Sequence, residues 1–316
     1  MTVDVLTVGG CTVDIVHAAD GTTKGRQLGG NAIYAAAGAR VWGLRPGVVA
    51  FRGTGVPDGW GELLAALEID IEGMVPVGVP ASVSEFFYSR NGERTQRIWS
   101  PQGSGIGVPY LPADTGEPIR RLRLTPEHIP RRYSDVRGAH LGPIHGDAQR
   151  AMADALAGLG ILTLDPYPHV MAELTEEDLR TLLARVTAFL PSREEVRVRF
   201  PKLAPEAALD RLAPLARVAT VVKLGGRGAL VHDRATGRRH AVPAVPVHVK
   251  DPTGAGDAFC GGFLAGLVEG RGVLGAAACG SVSASFAIED FSLEGMRRSK
   301  PTERDRRARW VLERVK

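Results

Sequence analysis

Short apolar runs separated by longer stretches of helical spacing recur along most of the chain. The first run, Val3 to Val8, ends on Gly9 and Gly10 as a buried parallel strand does. Asn31 to Leu44 follows as an Ala-rich helix, Gly47 to Phe51 reads as a second strand, and Asp58 stands where it would cap a helix running to Leu67. The alternation returns downstream: helix over Asp147 to Leu159, strand over Ile161 to Leu164, helix over Thr175 to Leu183, strand over Val218 to Leu224. Strands joined through helices pair in parallel, so the pattern predicts an α/β fold whose mostly parallel sheet is covered on both faces.

One segment departs from this rhythm. Ser82 to Trp99 has two strand-like arms around Asn91-Gly92, a dipeptide that favours the tight turn of a β-hairpin. The polar, Gly-containing stretch His17 to Leu28 is its expected partner, and together they would leave the main sheet as a small β appendage. Ser100 to Pro130, rich in Pro and Gly and weakly periodic, reads as an irregular connection. No internal repeat or low-complexity linker divides the chain, and residues 1–316 are expected to form a single domain.

Composition narrows the class without changing this picture. The 316 residues, 44% hydrophobic and 23% charged, suit a globular protein with a substantial core and argue against disorder or a rod. No apolar run approaches the roughly 18–20 residues of a membrane span, and the opening MTVDVLTVGG reads as a strand rather than a signal peptide. Cys11, Cys260 and Cys279 form no CxxC, which predicts a cytoplasmic protein without a disulfide or zinc framework. The net charge of +4 sits mostly between Arg297 and Lys316, where basic residues are interleaved with Glu303, Asp305 and Glu313. That is the signature of a solvated helix, so neither a nucleic-acid nor a membrane partner is expected.

Candidate chemistry concentrates in Asp251-Pro252-Thr253-Gly254-Ala255-Gly256-Asp257, which leads into the apolar, glycine-containing stretch Ala258 to Leu267. A turn of small residues before an apolar helix aims free backbone N–H groups and the positive end of the helix dipole at one point, an anion cradle. Asp257, at the helix start, is placed to accept a proton from a hydroxyl attacking a phosphoryl group held there. The bland alternative is that the same residues only cap the helix.

At this motif the chain resembles the ribokinase-like, or PfkB, carbohydrate kinase family, whose C-terminal signature has the form D-x-x-G-A-G-D ahead of such a helix. Two further landmarks stand in the family's order. Gly29-Gly30-Asn31 opens the first long helix, and Val221 to Leu230 (VVKLGGRGAL) resembles the strand and glycine turn beside the nucleotide. The resemblance implies a ribokinase-like three-layer α/β/α sandwich with a small β lid from parts of 17–28 and 82–99. It also implies a kinase that uses ATP and Mg2+ to phosphorylate a hydroxyl, by preference a hydroxymethyl group, of a sugar or sugar-like molecule.

Site residues follow from the same resemblance. Asp257 would be the catalytic base, and the N–H groups of Gly254, Ala255 and Gly256 the anion hole. Asp14 would pair with acceptor hydroxyls, under a loop of Gly29, Gly30 and Asn31. Lys223, Gly225, Gly226, Gly228 and Ser192 fall on the nucleotide side, and Glu195 would hold magnesium through water. Asp251 and Thr253 match a pair that binds a monovalent cation in many members. The glycine usual in the loop completing that site is absent from Ile288-Glu289-Asp290-Phe291-Ser292-Leu293, which leaves activation by K+ open.

Departures from the family pattern bear on the substrate. Tyr34 stands on the first helix where many sugar kinases carry an acceptor-binding Asn, exchanging a double hydrogen-bonder for a ring with one hydroxyl. Ser192 and Arg193 stand where the magnesium-side motif has Asn and Glu. With Phe86, Tyr88 and Trp99, Tyr34 offers an aromatic face suited to a nucleoside or cyclitol acceptor, and the altered Ser192-Arg193 also fits a non-catalytic regulator. P-loop and hydrolase-elbow motifs are absent, the third glycine of a dinucleotide fold is missing, and His140, His145 and His169 lack metal-ligand spacing. An exposed lid edge would invite a homodimer.

Overall fold

The computed structural model describes residues 2–89, 94–100, 103–105 and 122–316. The N-terminal part runs β1 (Val5–Val8), β2 (Thr12–His17), β3 (Thr23–Gly29), α1 (Asn31–Arg40), β4 (Pro46–Thr54), α2 (Trp60–Ala66), β5 (Met74–Pro80), β6 (Val83–Tyr88), β7 (Arg94–Ser100) and β8 (Gly103–Gly105). The middle follows with β9 (Gly138–Leu141), α3 (Gly146–Leu156), β10 (Ile161–Leu164), α4 (Pro168–Glu173), α5 (Glu176–Leu183), β11 (Ala188–Phe189), α6 (Arg193–Arg199) and α7 (Pro205–Leu212). The C-terminal part comprises β12 (Ala219–Lys223), β13 (Ala229–Asp233), β14 (Arg238–Val242), α8 (Ala255–Val268), α9 (Gly272–Ala287), α10 (Glu294–Arg297) and α11 (Pro301–Leu312).

Nine strands form the main sheet in the order β14-β13-β12-β11-β10-β9-β1-β4-β5. From β12 to β5 every neighbouring pair is parallel, and β13–β14 adds an antiparallel hairpin at one edge. Because successive side chains alternate faces, Val5 and Val221 join a core under α1, α8 and α9, while Leu6 and Val222 join the opposite core under α3, α5 and α7. This is the three-layer sandwich the alternation predicts.

The helices over the first face fit through small residues. Nearly all of α1 is buried, so its all-round alanine character suits a helix wedged between sheet and α8. A Cβ on Gly38 would run into the Ala258 carbonyl, and one on Gly261 into the Ala35 carbonyl, so the two helices touch backbone to backbone.

The second sheet has the order β3-β2-β6-β7-β8 and corrects two sequence expectations. The arm Val83 to Tyr88 pairs in parallel with β2, not with the stretch ending at Leu28. His17 to Leu28 is divided between β2 and β3. It folds back at a turn closed by the Ala18 N–H donating to the Thr22 carbonyl at 2.8 Å, with Gly21 at φ 91°, which puts β3 outside β2 as the sheet edge. Part of the stretch expected to be irregular, Gly103 to Gly105, pairs with β7. Asn91-Gly92 lies outside the described residues. Asp58 does not cap α2, whose N-cap is Gly59 in the left-handed conformation at φ 76°. Val16, Ala18 and Phe86 seat the small sheet on Phe291. Among the described residues no helix is long and apolar enough to cross a membrane.

Candidate active site

The C-terminal ends of β1, β9, β10 and β12 and the starts of α1 and α8 meet at one edge of the main sheet, where open α/β sheets bind their ligands. Gly254 is the N-cap of α8 at φ 74°, and a Cβ there would collide with the Tyr34 ring. Both the backbone sign and the space demand glycine. The first helical bond closes from the Ala258 N–H to the Gly254 carbonyl at 2.8 Å, so the amides before it have no partner within the helix. Of the three amides expected to hold an anion, that of Ala255 leans back on the Pro252 carbonyl at 3.4 Å. Gly256 is exposed at the mouth, with only the Lys223 Nζ near its missing Cβ, at 3.6 Å. Asp257 is half-buried beside it. Burial pushes its carboxyl up to about 6, against the pull of Lys223 and Arg94.

The small sheet delivers Asp14 to the same place. It is buried on β2, accepts a hydrogen bond from the Thr12 Oγ1 at 2.8 Å, and stands so close to Gly29 that no Cβ could fit there. Burial pushes its carboxyl up to about 7, with Asp251 and Asp257 adding to the effect and the Thr12 bond opposing it. Gly30, at φ 110°, packs on the Gly10 carbonyl. The close approach made by these two glycines is thus to the protein's own backbone and to Asp14. Asn31 is likewise committed to the loops: its Oδ1 accepts from the Gly10 N–H and its Nδ2 donates to the Pro143 carbonyl, both at 2.8 Å. Tyr34 faces both the core and the site. Its ring is core, 1% exposed against Gly254, while its hydroxyl has no hydrogen-bond partner and lies in the field of Asp14, Asp251, Tyr88 and Asp257.

The nucleotide-side residues divide. Gly225 to Arg227 forms a short 3-10 turn, with Gly225 at φ 59° and Gly226 open to solvent space. Gly228, at φ 85°, packs on the Val242 carbonyl. Lys223 points away from that turn and into the protein, where its ammonium pairs with Asp165 and lies 3.4 Å from the Cys260 sulfur. Ser192 and Glu195 form a capping box on α6: each side chain accepts from the other residue's backbone N–H, 3.3 Å in the case of the Glu195 N–H. The S-x-x-E spacing is a known sign of that arrangement and was readable in the sequence. Burial, and the neighbouring Asp165, raise the Glu195 carboxyl.

Asp251 is buried, with Oδ1 accepting from the Thr253 N–H at 2.9 Å and Oδ2 without a partner. Ser292, in the loop lacking the usual glycine, nevertheless adopts the left-handed conformation at φ 53°. One site residue, Asp165, escaped sequence reasoning, and so did the contact made by Tyr88, which was read only as part of an aromatic face. Tyr88 reaches from the small sheet to Thr253, hydroxyl to hydroxyl at 2.9 Å. Asp165 follows the last residue of β10, and a charged residue directly after a buried strand was the available signal.

The arrangement gathers carboxylates from β2, from the turn before α8 and from α8 itself around a set of free amides and one buried ammonium. Such a set can bind an anion, orient a hydroxyl and move its proton. The sequence matches the pfkB family carbohydrate kinase over residues 131–298. A cytidine kinase of Thermococcus kodakarensis is 27% identical over 270 residues, covering 85% of this chain and 90% of that protein. A ribokinase of Lactococcus lactis subsp. lactis is 32% identical over 105 residues, 33% of each chain. Among solved structures, a nucleoside kinase of Methanocaldococcus jannaschii superposes with a TM-score of 0.70 at 17% identity, covering 98% of this chain and 99% of that one. A Burkholderia thailandensis nucleoside kinase in complex with inosine gives 0.70 at 18% identity, covering 98% of each. These two likenesses establish the ribokinase-like fold.

Proposed function

The chain belongs to the pfkB family of carbohydrate kinases, and from that premise we propose that it transfers the terminal phosphoryl group of ATP to a hydroxymethyl group of a sugar-like acceptor. The observation that carries this reading is the convergence of Asp14 and Asp257, 243 positions apart in sequence, at the open amides that begin α8. Asp257 takes the proton of the attacking hydroxyl, and the amides around Gly256 meet the charge that gathers on the phosphoryl oxygens. Asp14 and the Tyr34 hydroxyl orient the acceptor under the small sheet, which acts as its lid, within a single domain.

ATP lies along the turn Gly225 to Gly228, on the side of α8 away from the lid. Magnesium would neutralise its phosphates when bound, and Glu195, whose Oε2 accepts the Ser192 N–H, is the residue that would hold it through water. The unpartnered Asp251 Oδ2 and the left-handed Ser292 suit a monovalent cation such as K+.

A nucleoside is the second reading, favoured by Phe86 and Tyr88 on the lid, whose rings stack at 6.4 Å, and by the similarity to a cytidine kinase. A panel of sugars, nucleosides and inositols assayed for ADP release decides between them. Release with nucleosides alone selects the second reading, and no release with any acceptor while ATP binds would favour a regulator.

A further inference from the structure

Lys223 ends β12 and Asp165 follows β10, so their pair sits at the carboxyl ends of parallel strands, with side chains 10% and 4% exposed. A buried ion pair contributes little to stability, because desolvating both charges offsets their attraction. Its place in the molecule offers a different use. The Lys223 ammonium lies 3.6 Å from where a Cβ of Gly256 would be and 3.4 Å from the Cys260 sulfur, directly under the first turn of α8. Asp165 holds it there through Oδ2, while Oδ1 is buried without a partner. Around this cation stand the acids Asp165, Glu195 and Asp257. Three neighbouring carboxylates cannot all stay ionised without positive compensation.

We propose that the Lys223–Asp165 pair is a fixed positive support beneath the phosphoryl cradle, acting on transfer through Asp257 and the first turn of α8 rather than by contact with the nucleotide. It rests on reading the start of α8 as the phosphoryl site. Charge that grows on the phosphoryl oxygens then meets a cation already in place, in surroundings that screen it weakly. Asp165 is a positioning residue, since without it the long lysine side chain is free to turn toward solvent.

The test compares Lys223→Met and the charge-balanced Lys223→Met/Asp165→Asn with the wild type, using the acceptor that gives most ADP release. The double variant removes the acid that pairs with Lys223 along with the lysine and keeps the net charge, so it reports on function where the single one folds poorly. Both should lower kcat by about 30- to 100-fold, with the dissociation constant for magnesium-ATP, measured by calorimetry, within about 3-fold of wild type. Asp257 is faced by Lys223 from β12, Arg94 from β7, Glu195 from α6, Asp165 after β10, Asp14 from β2 and Cys260 on its own helix. Removing Lys223 takes away a cation that favours the ionised carboxyl, so the acid limb of kcat should move to higher pH. Weakened magnesium-ATP binding with kcat kept would make Lys223 a nucleotide contact and overturn the proposal. A lower melting temperature with unchanged kinetics would reduce the pair to packing. Asp257→Asn run alongside separates the premises: full turnover in that variant rejects the cradle itself, whereas its loss beside wild-type speed in both Lys223 variants rejects only this inference.

Discussion

On the proposed function, the two halves of the site are built on opposite plans. The phosphoryl half is local: seven consecutive residues, Asp251 to Asp257, supply the cap, the amides and an acid, and a helix axis aims them. The acceptor half is assembled from β2, the β3–α1 junction, the first turn of α1 and β6, so its geometry depends on how two sheets dock. A local device tolerates little change at any one position. An assembled one spreads its tolerance over many contacts, and the contrast can be tested by substitution.

Asp257→Asn should have the largest effect, a fall in kcat of about 10²–10⁴-fold with acceptor binding preserved, as removal of a positioned base requires. If acceptor KM rises instead, the two halves are not separable. Asp14→Asn should lower kcat/KM for the acceptor by about 10- to 100-fold through the loss of a charge-assisted hydrogen bond. Its stability should move the other way. The Asp14 carboxyl, raised to about 7 when folded, contributes stability that is full below the ordinary carboxylate range and is lost as pH rises through 7. Melting curves should therefore show the Asn variant about 3–6 °C more stable than wild type at pH 8, the gap closing toward pH 5.

Gly254→Ala comes next. It combines a left-handed backbone with a clash on the Tyr34 ring, and about a 10-fold loss in kcat with a lower melting temperature is expected. Wild-type kinetics there would mean that the cradle is less local than described. The smallest effect belongs to Tyr34→Phe, which removes a buried hydroxyl without a partner. Stability should hold or rise slightly, while kcat/KM for the acceptor falls about 3- to 10-fold. Unchanged acceptor kinetics would leave Tyr34 to the core alone.

The same contrast explains what could be read in the sequence. The main sheet was legible because each buried strand is one apolar run, and the cradle because its residues are contiguous. The small sheet was legible as an appendage but not in its order. Asp20-Gly21 marks the fold-back that puts β2 between β3 and β6, but polar strands such as β3 carry no alternation to announce themselves. Asp165 was missed, and Tyr88 was read only as part of an aromatic face, because their contacts are with Lys223 and Thr253, 58 and 165 positions away. Asn31 shows the opposite failure. Its motif position was plain, yet both ends of its amide serve the backbone at the ends of β1 and β9.

The contact between α1 and α8 has a mechanical corollary. Tyr34 meets Gly254, Gly38 meets Ala258 and Ala35 meets Gly261, so the helices cross in backbone contact, with the Tyr34 ring against the cap of α8. On the proposed function one helix carries the acceptor loop at its head and the other the phosphoryl cradle. A contact of this kind has no slack, because one helix cannot slide past the other without driving carbonyls into Cα atoms. On that reading the span between the two reactants is a dimension of the core, and a lid formed by the small sheet would admit or seal in a substrate without altering it.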